Sequence, residues 1–344
     1  MSISSGWNEL DLNGARQWIS VRGDPAAPIL LFVHGGPGGA EYGPRRHYLR
    51  RLEADWCVVD WEQRGAGRSY IGTETPANLS IDIIVEDGIS LIEQLRSEFP
   101  DNQVVVVGHS FGTVLGLLMA SKAAPHIDAY VGASQVVNWA RQELTSYQWA
   151  LDEATRVGNQ KARTALSAIG PPERGCYPGG TESVEVQRRW LGTLGGVSGD
   201  PHFLTRWALT ILLAPDYPLS TKLRFTKGLA RSMEIMWPEL GERIDFLRDL
   251  TSVDVPVYIF AGERDRITDL AQTRGWFYAL KAPHKRLEVV ERAGHLNLFE
   301  APERFSAFLS AIKDELAATK TRGDLESQRI HVSTMPLTSP MRRG

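Results

Sequence analysis

Residues 104–116 of this 344-residue chain read Val-Val-Val-Val-Gly-His-Ser-Phe-Gly-Thr-Val-Leu-Gly, and this stretch decides the fold. Four consecutive β-branched residues predict a fully buried strand, and the apolar residues that follow Gly112 recur at helical spacing. A Gly-x-Ser-x-Gly pentapeptide therefore lies where a strand turns sharply into a helix. Gly108 and Gly112 leave room for a strained backbone at Ser110. Although an incidental serine in a glycine-rich turn is the alternative, this position predicts that Ser110 is a nucleophile at a helix N-terminus, where backbone N–H groups favour negative charge.

A glycine-rich loop follows another predicted strand upstream. The apolar run 29–33 is followed by His-Gly-Gly-Pro-Gly-Gly at residues 34–39. Glycines let a backbone approach a neighbouring group closely and can aim an N–H group at it, although such a loop can also be only a flexible turn. Because the serine turn is also present, we expect the N–H groups of Gly36 and Phe111 to form an oxyanion hole.

An acid and a histidine follow two later predicted strands. Asp265 comes shortly after one of these strands, and His295 comes after the last. A catalytic histidine needs a buried negative partner on one ring nitrogen to hold the correct tautomer. We assign that role to Asp265 and keep Glu263 and Asp269 as alternatives. The carboxyl ends of parallel strands share one sheet edge, so Ser110, Asp265 and His295 are expected to converge there.

The order of predicted elements indicates an α/β protein with an insertion. Strands alternate with helices over residues 1–135 and 246–317, which predicts a mostly parallel sheet with helices on both faces. Residues 136–245 show helical periodicity without buried β-branched runs, so we expect an all-helical lid over the carboxyl edge of the sheet. Residues 318–344 are polar and basic, which predicts a disordered tail.

Composition limits the class of partner. The chain is 42% hydrophobic, and its 38 basic and 41 acidic residues give a formal net charge of −3. This mixture offers no basic stripe for nucleic acid or an anionic membrane, so the expected partner is a small molecule or a short peptide. No signal segment or bilayer-length apolar run is apparent, and we expect a cytoplasmic protein. Cys57 and Cys176 are expected to be free thiols, and no metal-ligand spacing is present, so no metal site is predicted. Composition does not predict the oligomeric state.

The predicted lid is rich in aromatic residues. Most of them are expected to form the lid's own core, while one or two line a substrate pocket. The candidates for the pocket are Trp139, Tyr147, Trp190 and Trp207.

Four short motifs together resemble the proline iminopeptidase family of serine hydrolases. They are His-Gly-Gly-Pro-Gly at 34–38, Gln-Arg-Gly-Ala-Gly-Arg-Ser at 63–69, Gly-His-Ser at 108–110 and Gly-His at 294–295. The resemblance covers about residues 7–316 and implies an α/β-hydrolase fold with an eight-stranded sheet. It also implies an acyl-enzyme mechanism that needs no cofactor, with serine, aspartate and histidine in that chain order.

The four motifs are specific for the family but not for its substrate, because members with these motifs cleave esters, amides or lactones. The expected function is a proline iminopeptidase-like serine hydrolase acting on a small ester, amide or peptide. Alternatives are an esterase or lactonase of small-molecule metabolism without aminopeptidase activity, and a non-catalytic ligand-binding protein of the same fold. The family's aminopeptidases hold the substrate amine with a Trp-Glu pair in the lid, whereas residues 189–192 read Arg-Trp-Leu-Gly. We therefore expect a preference for an uncharged acyl group, with most lid glutamates on solvated helix faces.

Overall fold

A computed structural model describes residues 3–214 and 216–333 of the chain. The chain divides into two compact units, one that ends at Pro302 and one that begins at Glu303. The sheet, the helical insertion and the candidate site all belong to the first unit. Among the described residues, no helix is both long enough and apolar enough to cross a membrane.

Eight strands form one mostly parallel sheet in the order β1-β2-β4-β3-β5-β6-β7-β8. The strands are β1 Gly6–Leu12, β2 Ala15–Arg22, β3 Ile29–Val33, β4 Cys57–Glu62, β5 Val104–His109, β6 Ala129–Ala133, β7 Val257–Gly262 and β8 Lys285–Val290. The pairs β1–β2 and β2–β4 are antiparallel, and the other pairs are parallel. This confirms the predicted eight-stranded α/β-hydrolase fold.

Helices connect the strands and cover the sheet. They are α1 Tyr42–Tyr48, α2 Ile81–Glu98, α3 Phe111–Lys122, α4 Trp139–Arg156, α5 Gln160–Ile169, α6 Gly180–Thr193, α7 Phe203–Leu212, α8 Leu219–Arg243, α9 Phe246–Asp249, α10 Leu270–Ala279, α11 Asn297–Glu300 and α12 Pro302–Ser333. Short 3-10 turns occupy Arg50–Ala54, Gly67–Ser69 and Ala124–His126.

The order of the central strands brings the two predicted loops together. Strand β3 pairs in parallel with β5, and Val33 lies opposite Gly108 at the carboxyl end of both strands. The glycine-rich loop and the serine turn therefore leave the sheet side by side. Every residue of β3 and β5 is buried, which agrees with their β-branched and aliphatic sequences.

The helical insertion occupies the connection between β6 and β7. Helices α4 to α8 lie within residues 136–245, and the structure describes no strand in this segment apart from isolated bridges. Asn138 accepts a hydrogen bond at 2.8 Å from the N–H of Arg141 and so caps α4. The N–H of Phe246 donates to the Val137 carbonyl at 2.8 Å, so the segment leaves and re-enters the sheet region at neighbouring points.

The prediction of a disordered tail is wrong for residues 318–333. Helix α12 continues from Pro302 to Ser333, whereas disorder was expected from residue 318. The segment after Ala317 contains many good helix formers, and extending an existing helix is far easier than starting one. The rest of the predicted tail, residues 334–344, lies outside the described residues.

Candidate active site

The serine turn has the backbone conformation that its sequence predicts. Ser110 joins β5 to α3 with φ 52° and ψ −121°, in the left-handed half of conformational space. A Cβ on Gly112 would lie 2.0 Å from the carbonyl oxygen of Val33, and a Cβ on Gly108 would lie 2.5 Å from the carbonyl oxygen of Gly112. Both positions therefore require glycine, and the tight packing holds the serine in its strained conformation.

The three predicted catalytic side chains form one hydrogen-bonded chain. His295 Nε2 lies 2.8 Å from Ser110 Oγ, and His295 Nδ1 lies 2.9 Å from Asp265 Oδ2. Because the carboxylate can only accept, Nδ1 carries the proton and Nε2 is free to accept from the serine hydroxyl. Asp265 is 1% exposed and His295 is 6% exposed, so bulk water competes little for these bonds.

The carboxylate of Asp265 is held by several donors. One oxygen accepts the N–H groups of Ile267 and Thr268 at 2.8 and 2.9 Å, and the other accepts the hydroxyl of Thr268 as well as His295. Burial alone would raise the pKa of Asp265, but His295 and the hydrogen bonds from Thr268 hold it below its usual value. The aspartate therefore remains ionised beside the imidazole.

The two alternative acids have other partners. Glu263 is exposed and accepts the N–H of Arg292 at 3.1 Å. Asp269 caps helix α10 by accepting the N–H of Ala271 at 2.9 Å. The structure thus brings Asp265, of the three acids considered, to His295.

A second histidine, His109, braces the loop of the catalytic histidine, and sequence reasoning did not predict its partner Glu41. His109 Nδ1 lies 2.7 Å from Glu41 Oε1, and its Nε2 lies 3.0 Å from the carbonyl oxygen of His295. Both partners are acceptors, so both ring nitrogens must donate, and His109 is an imidazolium. Burial alone would lower the pKa of His109, but Glu41 reverses the effect and raises it. The two residues are 68 positions apart, and no local pattern connects them.

The two predicted oxyanion-hole residues are Gly36, in the glycine-rich loop, and Phe111, which directly follows Ser110. Gly36 has φ 124°, a conformation that favours glycine, and it lines the same cavity as Ser110. Phe111 is the first residue of α3, so its N–H has no partner within the helix. Neither the Phe111 N–H nor the Gly36 N–H donates to an acceptor among the residues that the structure describes. Both groups are available to a ligand.

A cavity of about 230 Å³ opens over Ser110 and His295. Its walls are mostly apolar and aromatic, and half of the lining residues come from the helical insertion. The apolar lining residues are Trp139, Val184, Trp207, Phe225, Leu229, Met233, Trp237, Ile267 and Leu296.

Two of the four aromatic candidates for the substrate pocket line this cavity, and two do not. Trp139 and Trp207 line the cavity, but Tyr147 and Trp190 do not. The hydroxyl of Tyr147 donates to the Leu166 carbonyl at 3.1 Å inside the insertion, and Trp190 packs against the hydrophobic core. Trp237, which was not among the candidates, lines the cavity instead.

Glu143 is an exception to the prediction that most lid glutamates are solvated. This side chain is 0% exposed, and its Oε1 forms an ion pair at 2.5 Å with Arg188. Burial raises the pKa of Glu143, and the guanidinium of Arg188 opposes that rise. Arg188 lines the cavity, whereas Glu143 lies behind it.

The described residues contain no group of three or more His, Cys, Asp and Glu side chains arranged to hold a metal ion.

Comparison with known proteins gives a consistent family match. Residues 24–302 match the family model described as Serine aminopeptidase, S33. The chain is 29% identical over 309 residues to "Probable aminopeptidase YbaC" of Bacillus subtilis (strain 168), covering 88% of this chain and 94% of that protein. It is 26% identical over 319 residues to "Probable proline iminopeptidase" of Leptolyngbya boryana, covering 88% of this chain and 91% of that protein.

A solved structure has the same fold. A proline iminopeptidase-related protein from Thermus thermophilus superposes with a TM-score of 0.66 at 22% sequence identity, covering 92% of this chain and 98% of that one.

Proposed function

Because this chain belongs to the serine aminopeptidase S33 family and is an α/β-fold hydrolase, we propose that it cleaves a small ester, amide or short-peptide substrate through an acyl-enzyme on Ser110. The observation that supports this most directly is the hydrogen-bonded chain from Asp265 through His295 to Ser110, with distances of 2.9 and 2.8 Å. That arrangement matches the requirement for an activated serine nucleophile.

The proposed reaction has two halves. Ser110 Oγ attacks the substrate carbonyl while His295 Nε2 takes its proton, and the ionised Asp265 stabilises the imidazolium. The N–H groups of Phe111 and Gly36 bind the oxyanion of the tetrahedral intermediate. His295 then protonates the leaving group. In the second half, His295 takes a proton from water as the water attacks the acyl-enzyme, and it returns that proton to Ser110 Oγ as the acyl group leaves.

Contacts behind His295 favour this role. Its carbonyl oxygen accepts hydrogen bonds from His109 at 3.0 Å and from the Ser134 hydroxyl at 2.7 Å. Asn297 in turn donates to Ser134 at 2.7 Å. These bonds restrict the loop that carries the imidazole, and such positioning is what a general base requires.

The first substrate candidate is an ester whose acyl group carries no free ammonium group. Among the described residues, Glu41 is the only acidic side chain that lines the cavity, and His109 already balances its charge. Burying a free ammonium group without a dedicated carboxylate costs several kcal/mol, about 3–5 by analogy with a broken buried ion pair. The apolar and aromatic walls instead suit the hydrocarbon part of an acyl group.

The second candidate is an aminopeptidase, and one observation favours it. Both Ser110 Cβ and Glu41 Oε1 lie within 3.4 Å of the position that a Cβ on Gly35 would occupy. A carboxylate this close to the nucleophile is a candidate partner for the α-amino group of a substrate. The related Bacillus and Leptolyngbya proteins, whose names include aminopeptidase and proline iminopeptidase, add weight to this candidate.

The acyl-enzyme proposal is tested with a fluorophosphonate probe, which phosphonylates activated serines. We expect the wild-type protein to be labelled and Ser110→Ala to show no labelling. Labelling that persists in the variant would refute the assignment of the nucleophile. A folded wild-type protein that resists the probe would favour the non-catalytic alternative.

The two substrate candidates are separated by kcat/KM for a proline arylamide, its N-acetylated form and a matched aryl ester. We expect the ester to be preferred. A preference of ~100-fold or more for the free amine would instead support the aminopeptidase. Glu41→Gln should then abolish that preference, while the control Glu234→Gln, at a side chain that is 63% exposed, should retain it.

A further inference from the structure

One wall of the cavity over the proposed nucleophile carries a positively charged side chain that the proposed reaction does not require. Arg188, from helix α6, lines the cavity together with Ser110 and His295. Its side chain is 22% exposed. The guanidinium lies 5.5 Å from the ring centre of Trp237, which also lines the cavity. An arginine is always charged, so this wall of the pocket carries a permanent positive group.

Arg188 retains unused hydrogen-bonding capacity. A guanidinium has five N–H donors. One terminal nitrogen donates to Glu143 Oε1 at 2.5 Å, and the other donates to the side-chain oxygen of Gln187. The nearby hydroxyl of Tyr177 has no hydrogen-bond partner among the described residues, and even with one N–H group directed to it, at least two N–H groups of Arg188 have no acceptor there. Gln142 lines the same cavity, and its side-chain amide also lacks a partner within the described part of the chain.

A buried carboxylate holds the guanidinium in place from behind. Glu143 is 0% exposed, and its Oε2 has no hydrogen-bond partner among the described residues. An ion pair buried in this way is seldom more stabilising than apolar side chains of the same volume, so its retention is not explained by stability. The pair instead presents a fixed, planar donor group to the cavity.

Of the charged groups that face the cavity, Arg188 is the one that can attract an anionic group of the substrate. Glu41 lies beside Ser110, and its negative charge is balanced by the imidazolium of His109 at 2.7 Å. Planar donors on a guanidinium match the two oxygens of a carboxylate, and such charge-assisted bonds are among the stronger ones in proteins.

We propose that Arg188, assisted by Gln142, binds a carboxylate of the substrate, so that the preferred substrates are small esters or amides that carry a carboxylate apart from the scissile carbonyl. This inference rests on the proposed function, because it assigns the substrate class of the same site. The walls formed by Trp139, Trp207 and Trp237 would accept the apolar part of such a molecule.

Matched ester pairs test the proposal. Phenyl hydrogen adipate and phenyl methyl adipate differ in a carboxylate on the acyl side. The pair 4-acetoxybenzoate and 4-acetoxybenzamide differs in a carboxylate on the leaving group. We expect the wild-type protein to favour the carboxylate member of at least one pair by about 10- to 100-fold in kcat/KM, mainly through KM.

Three variants assign that preference to Arg188. Arg188→Gln should remove most of it, and Arg188→Lys should retain part of it, because an ammonium group is a point charge without the planar fork. Glu143→Gln should increase it, because the guanidinium then faces the cavity without its counter-ion. A residue that only neutralised Glu143 would not show this increase. Ratios between variants cancel the intrinsic reactivity of the esters.

A double variant guards against misfolding. Arg188→Gln alone leaves Glu143 buried without a counter-ion, whereas Glu143→Gln with Arg188→Gln removes both charges and should fold. A carboxylate preference that survives in the folded double variant, or equal hydrolysis of both members of both pairs by the wild-type protein, would overturn the proposal. A wild-type protein that hydrolyses neither member and resists the fluorophosphonate probe would instead overturn the proposed function.

Discussion

Asp265→Asn is the most informative single substitution at the candidate site, because the surrounding hydrogen bonds dictate how the new amide must point. One carboxylate oxygen of Asp265 accepts two backbone N–H groups, those of Ile267 and Thr268, at 2.8 and 2.9 Å. An NH₂ group there would face two donors, so the amide oxygen must keep this position. The NH₂ group must then occupy the other position, which faces His295 Nδ1 and the Thr268 hydroxyl.

The consequence is a wrong tautomer at the histidine. The amide donates to His295 Nδ1, so the ring proton moves to Nε2, and Nε2 can no longer accept the proton of Ser110. In a well-studied serine protease the same change lowers kcat roughly ten-thousand-fold. Applied to this geometry, that loss is about 5 kcal/mol of transition-state stabilisation, at ~1.4 kcal/mol for each factor of ten.

Steady-state kinetics on an aryl ester measure the effect, with the melting temperature recorded to confirm that the variant is folded. The control Thr268→Val removes one hydrogen bond to Asp265 but leaves its charge, and its cost should be about 1 kcal/mol, or up to ~10-fold in rate. A folded Asp265→Asn protein that loses less than ~10-fold in kcat would show that His295 does not depend on Asp265.

Two further predictions concern the ionisation of a buried carboxyl group and a close contact at a glycine. Burial raises the pKa of Glu62 to about 7 from 4.5, so the folded state favours the protonated carboxyl group. The free energy of unfolding should therefore fall by roughly 3 kcal/mol as the pH rises from about 4.5 to 7. Urea denaturation at pH 5 and pH 8 should show most of this loss in the wild-type protein and none in Glu62→Gln; identical pH dependence of the two proteins would contradict the reasoning. Gly112→Ala should lower the free energy of unfolding by about 3 kcal/mol or more, because its Cβ would lie 2.0 Å from the Val33 carbonyl oxygen. The control Gly275→Ala, in a helix with no atom within 4 Å of the new Cβ, should be neutral or stabilising by up to ~1 kcal/mol, and equal losses in both variants would disprove the steric explanation.

The sequence by itself determined the features that depend on neighbouring residues. The strand-to-helix turn at Ser110 follows from a β-branched run, two glycines and an apolar helix within thirteen positions, residues 104–116. The hairpin of β1 and β2 follows from Asn13-Gly14, whose φ values of 53° and 78° are both positive, as a tight turn requires.

Chain order also predicted which distant residues would meet at the sheet edge. All parallel strands of one sheet end at the same edge, so residues just beyond three strand ends were expected together without knowledge of their coordinates. The hydrogen bonds that join Ser110, His295 and Asp265 agree with this expectation. The topology of the sheet therefore places residues that are far apart in the sequence close together in space.

The helical insertion has no comparable rule, and there the tertiary structure decided. A helix shows which of its residues are apolar, but it does not show which neighbour they contact, so Trp237 was overlooked and Tyr147 was misplaced. The Glu143–Arg188 ion pair joins residues 45 positions apart on separate helices. Such a pair depends on the rotation and spacing of packed helices, which many side chains determine together, and no short stretch of sequence specifies it.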